Sequence, residues 1–314
     1  MHKLAIVVPF YKADHFGETL KSLWLQTNKN FSLYIGNDAS PDDPMPIISR
    51  YFKPEEYTYF AYQDNLGSKN LAFQWQRILK NVTEEWFQLL GDDDFISLNF
   101  VEKFYKNIGH LDSSINVIKV KSVLCDGSGH LTKQLYERYP TSRYHVVDFM
   151  IDKFAGRLNS SLSEHIFRRN KFQAVGFVPY PLSWHTDDRV ILEVSNFQTF
   201  YFIAEAKVFV RIYDGSTSGA KDNLPLKRDA SIQFFNDVSD LLEKRNISWY
   251  RKRKFLKSLR NNKDVLGGEN LKKIYYKHGV AGMLYYSTYT LKLLFKQLLP
   301  KKLIGKIQKS ATYD

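Results

Sequence analysis

The chain has 314 residues, 44% hydrophobic and 15% aromatic, enough to bury a substantial core and more than one average domain requires. Its single cysteine, Cys125, excludes an intramolecular disulfide framework and fits a reducing compartment, and the neighbours Val123 and Leu124 mark it as a buried thiol. The formal net charge is +12, yet residues 251–314 carry 16 lysines and arginines against Asp264, Glu269 and Asp314, so the whole excess is C-terminal.

In chain order, Leu4–Phe10 is an almost wholly apolar run broken at Pro9, the pattern of a strand covered on both faces. No secretion signal is expected, because the run breaks at Pro9 and a soluble pattern follows. No stretch approaches ~20 uninterrupted apolar residues, so no transmembrane helix is expected either. Leu20, Leu23 and Trp24 are spaced for one helix face. A second strand, Phe31–Ile35, closes on Gly36-Asn37-Asp38-Ala39-Ser40-Pro41-Asp42-Asp43. A helix from about Pro46 to Tyr51, a strand Tyr57–Tyr62 and a helix Leu71–Leu79 lead to a fourth strand, Trp86–Leu90, which ends in Gly91-Asp92-Asp93-Asp94. Strands alternating with helices predict βαβ units and a parallel sheet. Ligands bind outside the carboxyl ends of such strands, where Pro9–Tyr11, Asp38–Ser40 and Asp92–Asp94 converge.

The Asp triplet carries chemistry of its own. Adjacent carboxylates repel one another and are best tolerated where a divalent cation, with a phosphate behind it, offsets their charge. The alternative is an acidic turn capping the helix expected near Leu98. Farther on, Tyr180-Pro181-Leu182-Ser183-Trp184-His185 precedes a helix N-capped by Thr186 or Asp187, where Asp187 and Asp188 are either a reactive pair or charges favourable to the helix dipole. His185, a lone loop histidine, is given no role. A last strand, Val208–Tyr213, runs into a small-residue loop ending near Ser218.

Val7-Val8-Pro9-Phe10-Tyr11, Gly36-Asn37-Asp38-Ala39-Ser40-Pro41-Asp42, Asn65-Leu66-Gly67 and Gly91-Asp92-Asp93-Asp94, in this order and spacing, resemble the motif set of family 2 glycosyltransferases with the GT-A fold, over residues 1–215. The resemblance implies an α/β protein with a mostly parallel central sheet, flanking helices and a helical C-terminal extension. A catalytic domain would span 1–220 and a helical, basic region 221–314. It implies an inverting enzyme of bacterial surface polysaccharide synthesis, moving a sugar from a nucleotide diphosphate, UDP favoured, to a hydroxyl of a glycan or lipid-linked acceptor. Pro9 and Tyr11 would line the nucleobase and ribose pocket beside Ser40, and Asp38 would accept a hydrogen bond from the base. Asp92 would contact the ribose or donor sugar. Asp93 would be the principal ligand of Mn²⁺ or Mg²⁺, with Asp94 nearby. Lys69 loosely matches a basic residue after the Asn-x-Gly segment, and Ala39 replaces the usual glycine of the second motif. Asp187 would be the general base, with Asp188 the second candidate. Arg211 or Ser218 would reach the diphosphate, unless Arg211 is a solvated edge-strand residue. The residue types suit the reaction: a cation stabilises the departing diphosphate, and a carboxylate takes the proton of the acceptor hydroxyl.

In the C-terminal region Leu291, Leu294, Phe295, Leu298 and Leu299 share a helix face, with Lys292 and Lys296 on another, and Pro300 stops the helix before the basic run Lys301–Ile307. Beside Tyr275, Tyr276, Tyr285, Tyr286 and Tyr289, this reads as an anchor on an anionic membrane surface, expected on the inner face of the cell membrane. A helix packed on the catalytic domain is the alternative, and nucleic acid is not an expected partner. A sugar-phosphate nucleotidyltransferase is a second enzyme class, although Val8-Pro9-Phe10-Tyr11-Lys12 is not its glycine-rich loop. A non-catalytic basic module is a third reading.

Overall fold

The computed structural model describes residues 2–132, 142–220 and 223–298. In chain order the elements are β1 (Leu4–Phe10), α1 (Phe16–Trp24), β2 (Ser32–Asn37), α2 (Met45–Ile48), β3 (Tyr57–Ala61), α3 (Leu71–Leu79), β4 (Trp86–Leu89), β5 (Phe95–Ile96), α4 (Phe100–Ile108), β6 (Val117–Cys125), β7 (Arg143–His145) and α5 (Val146–Phe154). Then come β8 (His165–Arg168), α6 (Arg169–Val175), α7 (Thr186–Val194), β9 (Thr199–Arg211), α8 (Leu224–Lys244), α9 (Trp249–Ser258), α10 (Lys263–Tyr276) and α11 (Gly279–Leu298).

The strands form one sheet in the order β3-β2-β1-β4-β8-β6-β9-β5, with β7 added to β9. The first four pair in parallel, as their right-handed crossovers require. Beyond β4 the sheet is mixed: β8 is antiparallel to both β4 and β6, and β9 is parallel to β6. Because side chains alternate along a strand, Leu4, Ile6, Val8 and Phe10 of β1 share one core with Phe16, Leu20 and Leu23 of α1 and Phe100, Val101 and Phe104 of α4. Trp24, expected on the same helix face, is instead half exposed and lies against Tyr51. On the other side α3 approaches β2 so closely that a Cβ at Gly36 would overlap Ile78. Phe172 of α6 meets Phe87 of β4 edge to face at 5.0 Å. The strand expected at 208–213 is the end of the thirteen-residue β9, which lies between β6 and β5, so Arg211 is not on an edge.

The chain divides into two compact units within α8, one ending at Phe234 and the other beginning at Phe235, so the first half of α8 belongs with the sheet. In the second unit Tyr275 is buried, donates its hydroxyl to Leu256 O at 2.7 Å and stacks near Tyr285. Arg260 lies over the rings of Tyr285 and Tyr289 at 4.7 and 4.2 Å. Of the five tyrosines Tyr275 is buried, Tyr285, Tyr286 and Tyr289 are partly exposed and Tyr276 is exposed. The opposite face of α11 carries Val280, Leu284 and Phe295, which are 71, 62 and 66% exposed, together with Met283, Leu291 and Leu294. The side chains of Lys296 and Leu298, and all of Leu299, Pro300 and the basic run Lys301–Ile307, lie outside the described residues. Among the described residues no helix is long and apolar enough to cross a membrane.

Candidate active site

A cavity of about 540 Å³ opens at the carboxyl ends of β1, β2 and β4. Pro9, Tyr11, Asp38, Asp92, Asp93, Asp94, Asp187, Asp188, Arg211 and Ser218 all line it, and Ser40 and Lys69 do not. Pro9 is tolerated in a central strand because it lies beyond the last β1–β4 pair, Val7 with Leu89. The chain then leaves β1 and is fixed by Asp92, whose Oδ2 accepts from Tyr11 N at 2.8 Å and Lys12 N at 2.9 Å. Ser40 acts from outside the cavity, donating to Tyr11 O at 2.7 Å. Both contacts fix the Tyr11 backbone, and its exposed ring lies at the cavity wall.

Asp38 is buried, and its carboxylate accepts from Leu66 N at 3.0 Å, from Gly67 N at 2.7 Å and from Arg77, whose guanidinium stacks 3.6 Å from the Tyr62 ring centroid. Asp38 thereby anchors the 65–67 loop while lining the cavity. Ala39 has φ +53°, a left-handed conformation that explains why glycine is usual there.

The triplet turn is held from beneath. Thr19 Oγ1 donates to Asp92 O at 3.0 Å and Asp94 O at 2.7 Å, and a Cβ at Gly91 would meet Asp93 Oδ1 at 2.9 Å. Asp94 is buried with Oδ1 accepting from Arg211 N at 2.9 Å and Oδ2 from Ser163 Oγ. Its carboxylate is therefore a brace. Arg211 is 2% exposed, and its guanidinium donates to the carbonyls of Asp93, Asp126 and Gly127 and to the Glu18 carboxylate. It is not a solvated arginine: it locks the backbone on which Asp93 stands. Asp93 differs from its neighbours: Asp92 is held by the backbone N–H groups of Tyr11 and Lys12 and Asp94 by Ser163 and Arg211, whereas among the described residues no other residue hydrogen-bonds the Asp93 carboxylate. Burial, then the charge of Asp94, pushes it up to about 7, while burial takes Asp92 and Asp94 to about 6.

Asp187 and Asp188 occupy the first turn of α7. Asp187 is 17% exposed at its side chain and Asp188 is 0%. Lys153 Nζ is 3.7 Å from Asp187 Oδ2 and 2.5 Å from Asp188 Oδ1, and His185 Nδ1 is 2.8 Å from Asp188 Oδ2. Burial, then Asp188, raises Asp187 to about 7 against the pull of Lys153. Burial also pushes Asp188 up, but Lys153 and His185 outweigh it and hold Asp188 below the usual carboxylate range.

Lys12, Trp75, Lys153, Trp184, His185 and Tyr213 also line the cavity and had no assigned role in the sequence. Lys153 is one of three charged residues in α5, with Asp148 and Asp152, and His185 is fixed by a left-handed backbone with φ +67° and by Phe234, stacked at 4.6 Å. The contact of Lys153 with Asp188 is not local in sequence. A position two residues before an acidic pair is the hint for His185.

Residues 5–166 match the family model described as Glycosyl transferase family 2. The chain is similar to the uncharacterized glycosyltransferase RT0329 of Rickettsia typhi, 23% identical over 84% of this chain and 86% of that protein. It is also similar to the glycosyltransferase GlyA of Streptococcus pneumoniae, 27% identical over 37% of this chain and 16% of that protein. Among solved structures it resembles S. aureus TarS in complex with UDP-GlcNAc, with a TM-score of 0.59 at 14% identity over 92% of each chain. It likewise resembles the mannosyltransferase PcManGT of Pyrobaculum calidifontis in complex with GDP-Man and Mn²⁺, with a TM-score of 0.52 at 13% identity over 99% of this chain and 81% of that one. With over half its length matched by the family model and a GT-A-type sheet supporting the motifs, the chain belongs to glycosyl transferase family 2 and is a glycosyltransferase.

Proposed function

We propose that the chain is an inverting, metal-assisted glycosyltransferase that moves a sugar from a nucleotide diphosphate to an acceptor hydroxyl. One observation carries this reading: a single cavity gathers Asp93, a carboxylate without a side-chain partner, and Asp187, a carboxylate raised to about 7. UDP is the favoured nucleotide, supported by the UDP-GlcNAc complex of TarS, although PcManGT was solved with GDP-Man. Tyr11 offers an exposed ring for the base.

The residues present fit a divalent cation. Among the described residues no group of three or more His, Cys, Asp or Glu is placed to hold a metal unaided, so Asp93 would serve as protein ligand and the donor's phosphates would complete the set. Bound there, Mn²⁺ or Mg²⁺ would neutralise charge developing on the diphosphate. The chain's own chemistry lies at Asp187. Its carboxylate takes the acceptor hydroxyl's proton as that oxygen bonds to the anomeric carbon and the bond from that carbon to the diphosphate oxygen breaks. One displacement inverts the anomeric configuration. Proton NMR of the product made from an α-linked UDP-sugar tests this: a β-linked product supports it, and an α-linked product rejects inversion.

The acceptor is a glycan or lipid-linked hydroxyl, and the second unit places the enzyme at an anionic membrane surface. The exposed apolar face of α11, a helix with no Asp or Glu, supports this together with the C-terminal excess of lysine and arginine. The same positive charge opposes self-association through that face.

A further inference from the structure

We propose that Lys153 is the positioning residue of the acceptor side: clamped by the buried Asp188, its ammonium favours the ionised form of Asp187 and orients that carboxylate for proton abstraction. The inference rests on Asp187 being the base.

The geometry begins with the division of labour between two adjacent carboxylates. Asp188 is fully enclosed, with one oxygen taken by Lys153 at 2.5 Å and the other by His185 at 2.8 Å. Both of its oxygens are paired inside the protein, which leaves Asp187 as the more accessible carboxylate. His185 is itself immobilised: Nε2 lies 3.0 Å from Ser231 Oγ, which donates to Lys227 O at 2.8 Å. Its ring is stacked on Phe234 and meets Phe154 edge to face at 5.8 Å. The left-handed backbone at His185 persists because these contacts fix the ring on three sides. Asp188 is thereby a rigid socket for an ammonium group.

Lys153 fills that socket at the end of α5 and keeps its Nζ 3.7 Å from Asp187. This separation is short enough for strong charge coupling and longer than a hydrogen bond, so Asp187 keeps its oxygens available toward the cavity it lines. Around Asp187 the other charges oppose ionisation. Asp188 precedes Lys153 in effect, and Glu164, immediately before β8, adds to it. Glu164 is itself paired with Lys119 of β6 at 3.3 Å, and His165 beside it is held well below the usual histidine range, at about 4, by burial. Lys153 is the cation that acts on Asp187 from this set. After Asp187 takes a proton, Asp188 still neutralises Lys153, so the step leaves no stranded ammonium.

Protein labelled with ¹³C at the aspartate carboxyl carbons tests the assignment without knowledge of the acceptor. The Asp187 resonance is identified by its absence in Asp187→Asn. It is expected to titrate about one pH unit or more higher in Lys153→Gln than in wild type, and Lys153→Arg is expected to return it most of the way. An unmoved resonance in folded Lys153→Gln overturns the proposal. UDP release from the sugar nucleotide that the wild-type chain hydrolyses separates the two readings. If Asp187→Asn releases UDP at the wild-type rate, the base assignment falls and this inference with it. If Asp187→Asn is inactive while the titration is unmoved, only the Lys153 assignment falls. Should Lys153→Gln fail to fold, Asp188→Asn is compared with Lys153→Gln/Asp188→Asn. The resonance must then titrate higher in the double variant, and equal titrations overturn the proposal.

Discussion

At the scale of single residues, adjacent acids of one chemical type are divided into different roles by what surrounds them. In the triplet, Asp92 fixes the chain after β1, Asp94 is consumed by Ser163 and Arg211, and Asp93 remains available. In the pair on α7, Asp188 is the paired, enclosed member and Asp187 the accessible one. The two variants should therefore separate. Asp188→Asn removes a charge from a buried ion pair and should lower stability by about 3–5 kcal/mol, read as a fall in thermal midpoint. Asp187→Asn should leave the midpoint unchanged or raise it at pH 8, and should depress transfer by about two to four orders of magnitude with nucleotide affinity retained. A lowered midpoint in Asp187→Asn with full activity would reverse the assignment. The pH dependence follows from the direction of the Asp187 shift. Its folded value, about 7, lies above the ordinary 3.8, so folding favours the protonated form and the stability it contributes is lost as pH rises through this window. Catalysis needs the ionised form, so kcat/KM should rise with pH through an acidic limb near 7, and a profile flat from pH 5 to 8 would contradict this.

At the scale of elements, the sequence was most legible where one period dominates. The apolar run of β1, the alternation through β4 and the ordered polar clusters at their ends are local patterns, and they locate the cavity. The second half of the sheet was not legible, because the antiparallel entry of β8 between β4 and β6 is decided by long-range packing. For the same reason Arg211 looked like an edge residue although it is enclosed by β9, the Asp triplet and the 126–127 turn. Lys153 was invisible for a related reason: it meets Asp188 through the fold, from thirty-five positions away. The turn after β2 gives a test at this scale. Ala39 is held at φ +53°, so Ala39→Gly should stabilise the protein by about 0.5–1 kcal/mol in a denaturant titration. A loss of stability would show that the methyl group packs favourably enough to outweigh the backbone strain.

At the scale of the whole molecule, a nearly neutral sheet unit carries the chemistry and the basic charge is concentrated in the region that follows. The charge asymmetry was legible in the sequence, but the packing of Arg260 over Tyr285 and Tyr289 was not, since aromatic rings serve equally as membrane anchors and as packing against arginine. The exposed face of α11 makes the distinction testable. The full chain should sediment with anionic vesicles and less with neutral ones, high salt should weaken this, and Leu284→Asp/Leu291→Asp should reduce it while leaving UDP binding intact. Equal association with both vesicle types at low salt would remove the membrane reading. The central claim concerns the cavity, and calorimetric titration of UDP tests it most directly, with and without Mn²⁺, in wild type and Asp93→Ala. The account predicts Mn²⁺-dependent binding in wild type that is lost in a folded Asp93→Ala; equally tight, Mn²⁺-dependent binding in that variant, or no nucleotide binding by wild type, would contradict it.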